Sequence, residues 1–255
     1  MIPRLIGMVH LGPLPGSPGF EGDLGRVVGA AIRDAEILAE AGFDGVMVEN
    51  FGDAPYLADD VDKITVAAMT RAAAAVHDSI GIPVGVNVLR NDAPAALAVA
   101  AAAGATFIRI NVLSGTMTTD QGVITGRSAE VARSRASIAP DVAVLADVFV
   151  KHAVPPAGLS LEQAARDTFE RGGADALVIT GPATGAGASP EALAAVRSVL
   201  PSAPLYVGSG VTAASVAELL RIADGVIVGT SIKVEGHTTA PVDPPLARRL
   251  VDAAS

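Results

Sequence analysis

The chain has 255 residues, a formal net charge of −9, half of its residues hydrophobic but only 3% aromatic, and no cysteine. The missing cysteines exclude a disulfide framework or a thiolate metal site and fit a reducing compartment. The acidic balance argues against a nucleic-acid surface, so the expected ligand is a small anion held locally by neutral backbone donors. No apolar run reaches the ~18 residues of a membrane helix, and Met1–Gly7 lacks the charged and apolar regions of a secretory signal. A cytoplasmic protein with no membrane insertion is expected.

In chain order, short β-branched runs alternate with Ala-rich amphipathic stretches every ~20–40 residues, the rhythm of βα units. Strands are predicted at Leu5–Leu11, Gly45–Glu49, Pro83–Val88, Phe107–Leu113, Val142–Val148, Ala176–Thr180, Leu205–Gly208 and Gly225–Val228. Between them the pattern predicts helices near 24–41, 60–79, 92–103, 128–137, 160–172, 189–200, 213–222 and 244–253, several opening on caps such as Asp23, Asn91, Ser160, Ser189 and Thr212. The joints Ala41-Gly-Phe-Asp-Gly45, Ala103-Gly-Ala-Thr106 and Gly172-Gly-Ala-Asp175 share one signature, a left-handed Gly cap and a tight turn into the next strand. Eight such units with right-handed crossovers close into a (β/α)8 TIM barrel, expected to form a single domain over 1–255. The Pro-rich segment Gly12–Gly19 does not suit the phosphate turn of a doubly wound dinucleotide fold. Residues 12–22 and 114–127 read as long loops folded over the catalytic face.

In this architecture the ligand face is built from strand C-termini. The polar residues there are His10, Glu49, Asn50, Asn87, Arg109, Asn111, Asp147, Lys151, His152, Thr180 and Thr184. The last two strands end at Gly208-Ser209-Gly210 and Gly229-Thr230, where small residues let backbone N–H groups approach a phosphate. The fold is therefore expected to carry a phosphate-binding cup on the loops after strands 7 and 8.

Glu49 and Asp147 suit acid–base work, a self-satisfied ion pair, or a hard cation such as Mg²⁺. No metal or cofactor is required by the sequence. An ionised carboxylate in an apolar barrel needs a cation, and Arg109, Lys151 and His10 are the candidates. Period-two alternation puts Asp147, Phe149 and Lys151 on one side. Lys151 suits phosphate neutralisation, pairing with Asp147, or imine formation if desolvated, and nothing in the sequence indicates desolvation. Lys233 is expected to be exposed.

Several stretches together resemble the BtpA/SgcQ family, the photosystem I biogenesis protein BtpA-like group. They include Ile6-Gly-Met-Val-His-Leu-Gly-Pro-Leu-Pro-Gly16, Val48-Glu-Asn-Phe-Gly-Asp-Ala-Pro55, Gly85-Val-Asn-Val-Leu-Arg-Asn91, Arg109-Ile-Asn-Val112, Asp120-Gln-Gly and Ala146-Asp-Val-Phe-Val-Lys-His152. Gly181-Pro-Ala-Thr-Gly185, Gly208-Ser-Gly210, Gly229-Thr-Ser231 and Pro241-Val-Asp243 extend the match over nearly the whole chain. The resemblance implies a TIM barrel of the ribulose-phosphate-binding type. The family takes its name from an association with photosystem I biogenesis, and some members are linked to sugar metabolism.

The expected function is an enzyme acting on a small phosphorylated sugar or ribosyl compound, by isomerase, lyase or N-glycosidic cleavage chemistry. Asp147, Glu49, His10 and Lys151 are the expected catalytic groups; Asn50, Asn87, Arg109, Asn111, His152, Thr180 and Thr184 would bind substrate. Gly208, Ser209, Gly210, Gly229 and Thr230 would hold the phosphate. The alternatives are a non-catalytic assembly factor on the barrel scaffold and a metal-dependent hydrolase. The Ala-rich helices lead to an expectation of a homo-oligomer.

Overall fold

The computed structural model describes residues 2–181 and 187–254. Eight parallel strands close a barrel: β1 (Leu5–His10), β2 (Gly45–Glu49), β3 (Val84–Asn87), β4 (Phe107–Ile110), β5 (Ala143–Val148), β6 (Ala176–Ile179), β7 (Leu205–Val207) and β8 (Gly225–Val228), with β8 pairing back onto β1. Helices follow them in order: α1 (Leu24–Ala41), α2 (Lys63–Ser79), α3 (Ala93–Ala103), α4 (Ser128–Ile138), α5 (Leu161–Arg166), α6 (Pro190–Val199), α7 (Val216–Leu219) and α8 (Pro244–Ala254). The TIM barrel expected from the βα rhythm is the fold.

Local chemistry sets the boundaries. Asp23, Ser160 and Ser189 accept hydrogen bonds from backbone N–H groups three residues on, satisfying donors that a helix start leaves free. At α3 the cap is Asp92 rather than Asn91. Asn91 instead clamps Val112, accepting from its N–H at 2.7 Å and donating to its carbonyl at 3.0 Å, and β4 stops at Ile110, short of the predicted Leu113. Gly42 and Gly104 take the left-handed conformation at φ 100° and 73° and end α1 and α3. Helix α7 is a single turn starting at Val216, because Thr212 and Ser215 bond to each other in a preceding turn.

Residues 114–127 are not a featureless loop. Thr116–Thr119 and Gly122–Thr125 pair antiparallel around Asp120-Gln121, and Ala153–Val154 adds a third strand to this separate small sheet. Beyond β5 the predicted alternation breaks, since Phe149 and His152 both adopt positive φ, 56° and 57°. Lys151 is thus carried by a turn rather than by an extended strand.

Two apolar layers enclose the strands. Val and Leu of the outward strand faces pack against the helices, while Met8, Met47, Phe107, Leu145, Tyr206 and Ile227 fill the barrel interior. The Phe107 ring occupies the space beside Gly85, where an added Cβ would stand 2.1 Å from it. The polar residues are thereby confined to the C-terminal mouth.

Lys233 corrects the expectation of an exposed side chain. It is fully buried, and its Nζ donates to Asp34 Oδ2 at 2.6 Å, while Asp34 Oδ1 accepts from the Val242 N–H at 2.8 Å. The ion pair ties α1 to the segment after β8, which sequence distance concealed. Removing one member strands the other in a dry environment. Asp34→Ala should therefore cost about 3–5 kcal/mol in urea unfolding, with Asp34→Leu/Lys233→Met recovering most of the loss.

Candidate active site

Register aligns the mouth. His10 pairs with Glu49, Glu49 with Asn87, and Asn87 with Arg109, so four polar side chains stand in one row across β1–β4. Facing them, a cavity of about 210 Å³ is closed by Gly208–Thr212 after β7 and by Gly229–Ser231 after β8, with His10, Glu49, Arg109 and Lys151 on the opposite wall. All five expected phosphate residues and three of the four expected catalytic residues therefore line one space.

Small residues are required in the cup. A Cβ on Gly208 would lie 2.5 Å from Val178 and 3.0 Å from Arg109 Nη2, and one on Gly229 would lie 3.1 Å from His10 Cε1. Gly210 sits at φ +67°, a conformation side chains resist. The Ser209 hydroxyl accepts from the Gly181 N–H at 2.8 Å, joining the cup to the end of β6.

Asp147 takes the ion-pair alternative, with Arg109 as its cation. Arg109 donates Nε to Oδ1 at 2.8 Å and Nη2 to Oδ2 at 3.0 Å, and Asn111 Nδ2 adds a third bond to Oδ2 at 3.1 Å. Both oxygens are occupied, and Asp147 and Asn111 line a separate small cavity beside the hairpin. Burial works against the Arg109 charge, and Asp147 and Glu49 more than offset it, so its pKa rises. Asn87 donates to the Arg109 carbonyl and to Asn111 Oδ1, while its own Oδ1 is buried with no partner.

Glu49 has no such anchor. It is 4% exposed, and burial raises its pKa; Lys151, Arg109 and Arg90 pull the other way without cancelling that effect. His10 Nδ1 lies 3.0 Å from the Thr238 carbonyl, which makes Nδ1 the protonated nitrogen and leaves Nε2 as an acceptor 3.6 Å from Glu49 Oε1. Burial, then the charge of Lys233, lowers the His10 pKa to about 3. A neutral imidazole thus faces a carboxyl whose pKa burial has raised. Phe51 holds the imidazole, ring centroids 4.8 Å apart.

Of the remaining expected residues, those described lie around the cavity rather than in its wall. Asn50 braces the loops, accepting from Leu89 N–H at 2.7 Å and donating to Asp53 at 3.1 Å. Thr180 donates to the Phe149 carbonyl at 3.3 Å. His152 is exposed, and Thr184 lies outside the described residues. Reasoning from strand ends alone missed Thr238, which sets the His10 tautomer and bonds Thr230 through its hydroxyl at 3.0 Å. It also missed Arg90, whose Nη2 donates to the Lys151 carbonyl at 2.6 Å. Neither follows a strand pattern; Arg90 falls within the family stretch Gly85–Asn91.

Among the described residues no three His, Cys, Asp or Glu groups converge on one point, and Arg109 already saturates Asp147. Among the same residues no helix is long and apolar enough to cross a membrane.

The BtpA family model matches residues 2–255, and the chain belongs to that family. An uncharacterised protein of Thermococcus kodakarensis is 50% identical over 250 residues, covering 98% of this chain and 94% of its own length. Photosystem I biogenesis protein BtpA of Synechocystis is 43% identical over 249 residues, 98% of this chain and 87% of that protein. Among solved structures, phosphoribosyl anthranilate isomerase from Thermus thermophilus shares the fold at a TM-score of 0.61 and 11% identity, covering 98% of this chain and 97% of that one.

The two pKa shifts have opposite consequences for stability. Glu49 is raised above its unfolded value of 4.5, so its contribution is present below pH 4.5 and is lost as pH rises through the folded pKa. His10 is lowered from 6.5 to about 3, so stability falls as pH drops through that window. Glu49→Gln should therefore be more stable than the wild type at pH 8, with the gain shrinking towards pH 4.5, while the His10-dependent acid loss persists. Urea titrations of both proteins across pH 4–8 measure this.

Proposed function

We propose that this member of the BtpA family is an enzyme acting on a small phosphorylated sugar or ribosyl compound. The reading rests on one observation: a buried carboxyl with a raised pKa and two Gly/Ser/Thr loops of phosphate-cup type share a cavity of about 210 Å³. The phosphate rests on Gly208–Gly210 and Gly229–Thr230, where backbone donors and the absence of side chains favour an anion. Glu49 delivers or removes the proton at the reacting carbon or oxygen, a task suited to a carboxyl titrating nearer neutrality. His10 Nε2 is the neighbouring acceptor, and Arg109 orients substrate oxygens while Asp147 positions Arg109.

This division of labour favours isomerase or lyase chemistry over N-glycosidic cleavage. Two-carboxylate cleavage of a glycosidic bond needs a second free carboxylate, and Arg109 and Asn111 take up Asp147. The alternative, a non-catalytic assembly factor on the barrel scaffold, gives no reason for a buried carboxyl with a raised pKa beside an anion cup.

Thermal unfolding in inorganic phosphate, ribose 5-phosphate, dihydroxyacetone phosphate and unphosphorylated ribose tests the reading. A phosphorylated ligand at ~100 times its dissociation constant should stabilise the fold by ~2.7 kcal/mol. Thr230→Glu should abolish the effect and Glu49→Gln should retain it. Stabilisation by none of the phosphorylated compounds would retire the enzyme reading in favour of the scaffold.

A further inference from the structure

The chain contains only three lysines, Lys63, Lys151 and Lys233, and the fold treats each differently. Lys63 is exposed at the start of α2. Lys233 is sealed against Asp34 at 2.6 Å. Lys151 is half-buried in the wall of the catalytic cavity, and among the described residues no carboxylate oxygen comes within 4.0 Å of its Nζ. Its backbone is fixed by the bond from Arg90, between two residues of positive φ, so the amine is carried on a braced turn.

We propose that Lys151 is a carbonyl-capturing nucleophile, whose Nζ forms an imine with the ketone or aldehyde carbon of the phosphorylated ligand while Glu49 carries the protons. The inference rests on the cavity reading given above and deepens it to a substrate class: small phosphorylated carbonyl compounds. The surroundings supply what such an amine needs. Burial lowers the Lys151 pKa, and Arg109 and Arg90 act in the same direction, against Glu49 and Asp147. Asp147 is committed to Arg109, and among the described residues no carboxylate lies within ion-pair distance of Nζ to hold the ammonium form.

The step balances without a co-reactant. The Nζ lone pair forms a C–N bond as the carbonyl π pair moves to oxygen. That oxygen takes the Glu49 proton, and the nitrogen returns one proton to the carboxylate. Glu49 then protonates the carbinol hydroxyl, which leaves as water. An iminium and a Glu49 carboxylate remain side by side. The iminium draws electrons from the adjacent C–H or C–C bond, and the carboxylate accepts the released proton, which is the demand of isomerase and lyase chemistry alike.

Borohydride trapping on the full chain tests this. The protein is incubated with dihydroxyacetone phosphate or pyridoxal 5′-phosphate, reduced with sodium borohydride, digested and mapped by mass spectrometry. Because the cup holds the carbonyl beside the amine, Lys151 should label at least ~10-fold faster than Lys63. Inorganic phosphate should suppress that labelling, Lys151→Arg should remove it, and Glu49→Gln should slow it while leaving its position unchanged. Labelling of Lys151 with neither probe, at the rate of Lys63, or without protection by phosphate would overturn the proposal. If phosphorylated ligands still raise the melting temperature while Lys151 stays unlabelled, the imine falls and the phosphate site stands. If neither occurs, both fall.

Discussion

The bidentate contact between Arg109 and Asp147 decides what every other charged group at the mouth can do. Both side chains are almost wholly removed from water, a state tolerated only when charge and hydrogen bonds are matched. Asp147 is consumed by this match and by Asn111. Arg109 reaches residue 208, where with Val178 and Thr180 it crowds the space a side chain would need and so keeps the cup lined by glycine. Glu49 and Lys151 are left outside any bidentate match, each the leading charged neighbour of the other.

The segment after β8 completes the site from outside the barrel. Its Lys233 is anchored to α1 through Asp34, and its Thr238 carbonyl fixes the proton on His10 Nδ1. Thr238 also reaches Thr230, so the histidine and the cup share a support. A loop that contributes little to the cavity wall thus governs the direction in which the imidazole can accept a proton.

Much of this was legible in the sequence because it follows from local rules. β-branched runs gave eight strands, the Gly joints gave repeated units, and the small residues after the last two strands marked the cup. Polar residues at strand ends were found because a barrel interior leaves them nowhere else to go. What was missed depends on contacts between distant segments. The Asp34–Lys233 pair spans 199 positions, and nothing near Lys233 announces that it is buried. The commitment of Asp147 to Arg109 needs barrel closure to bring β4 beside β5. The hairpin at 116–125 was within reach: two β-branched runs flank Asp120-Gln121 and a Gly at φ 97°. Thr is polar but β-branched, and here its strand preference outweighs its polarity.

Phe107 lying over Gly85 has a consequence for traffic. With Met8, Met47, Leu145 and Ile227 it stoppers the barrel axis, so among the described residues no passage runs from the mouth to the far end. Whatever enters past the cup has to depart by the same doorway. No second molecule can queue behind the first, and emptying has to precede refilling.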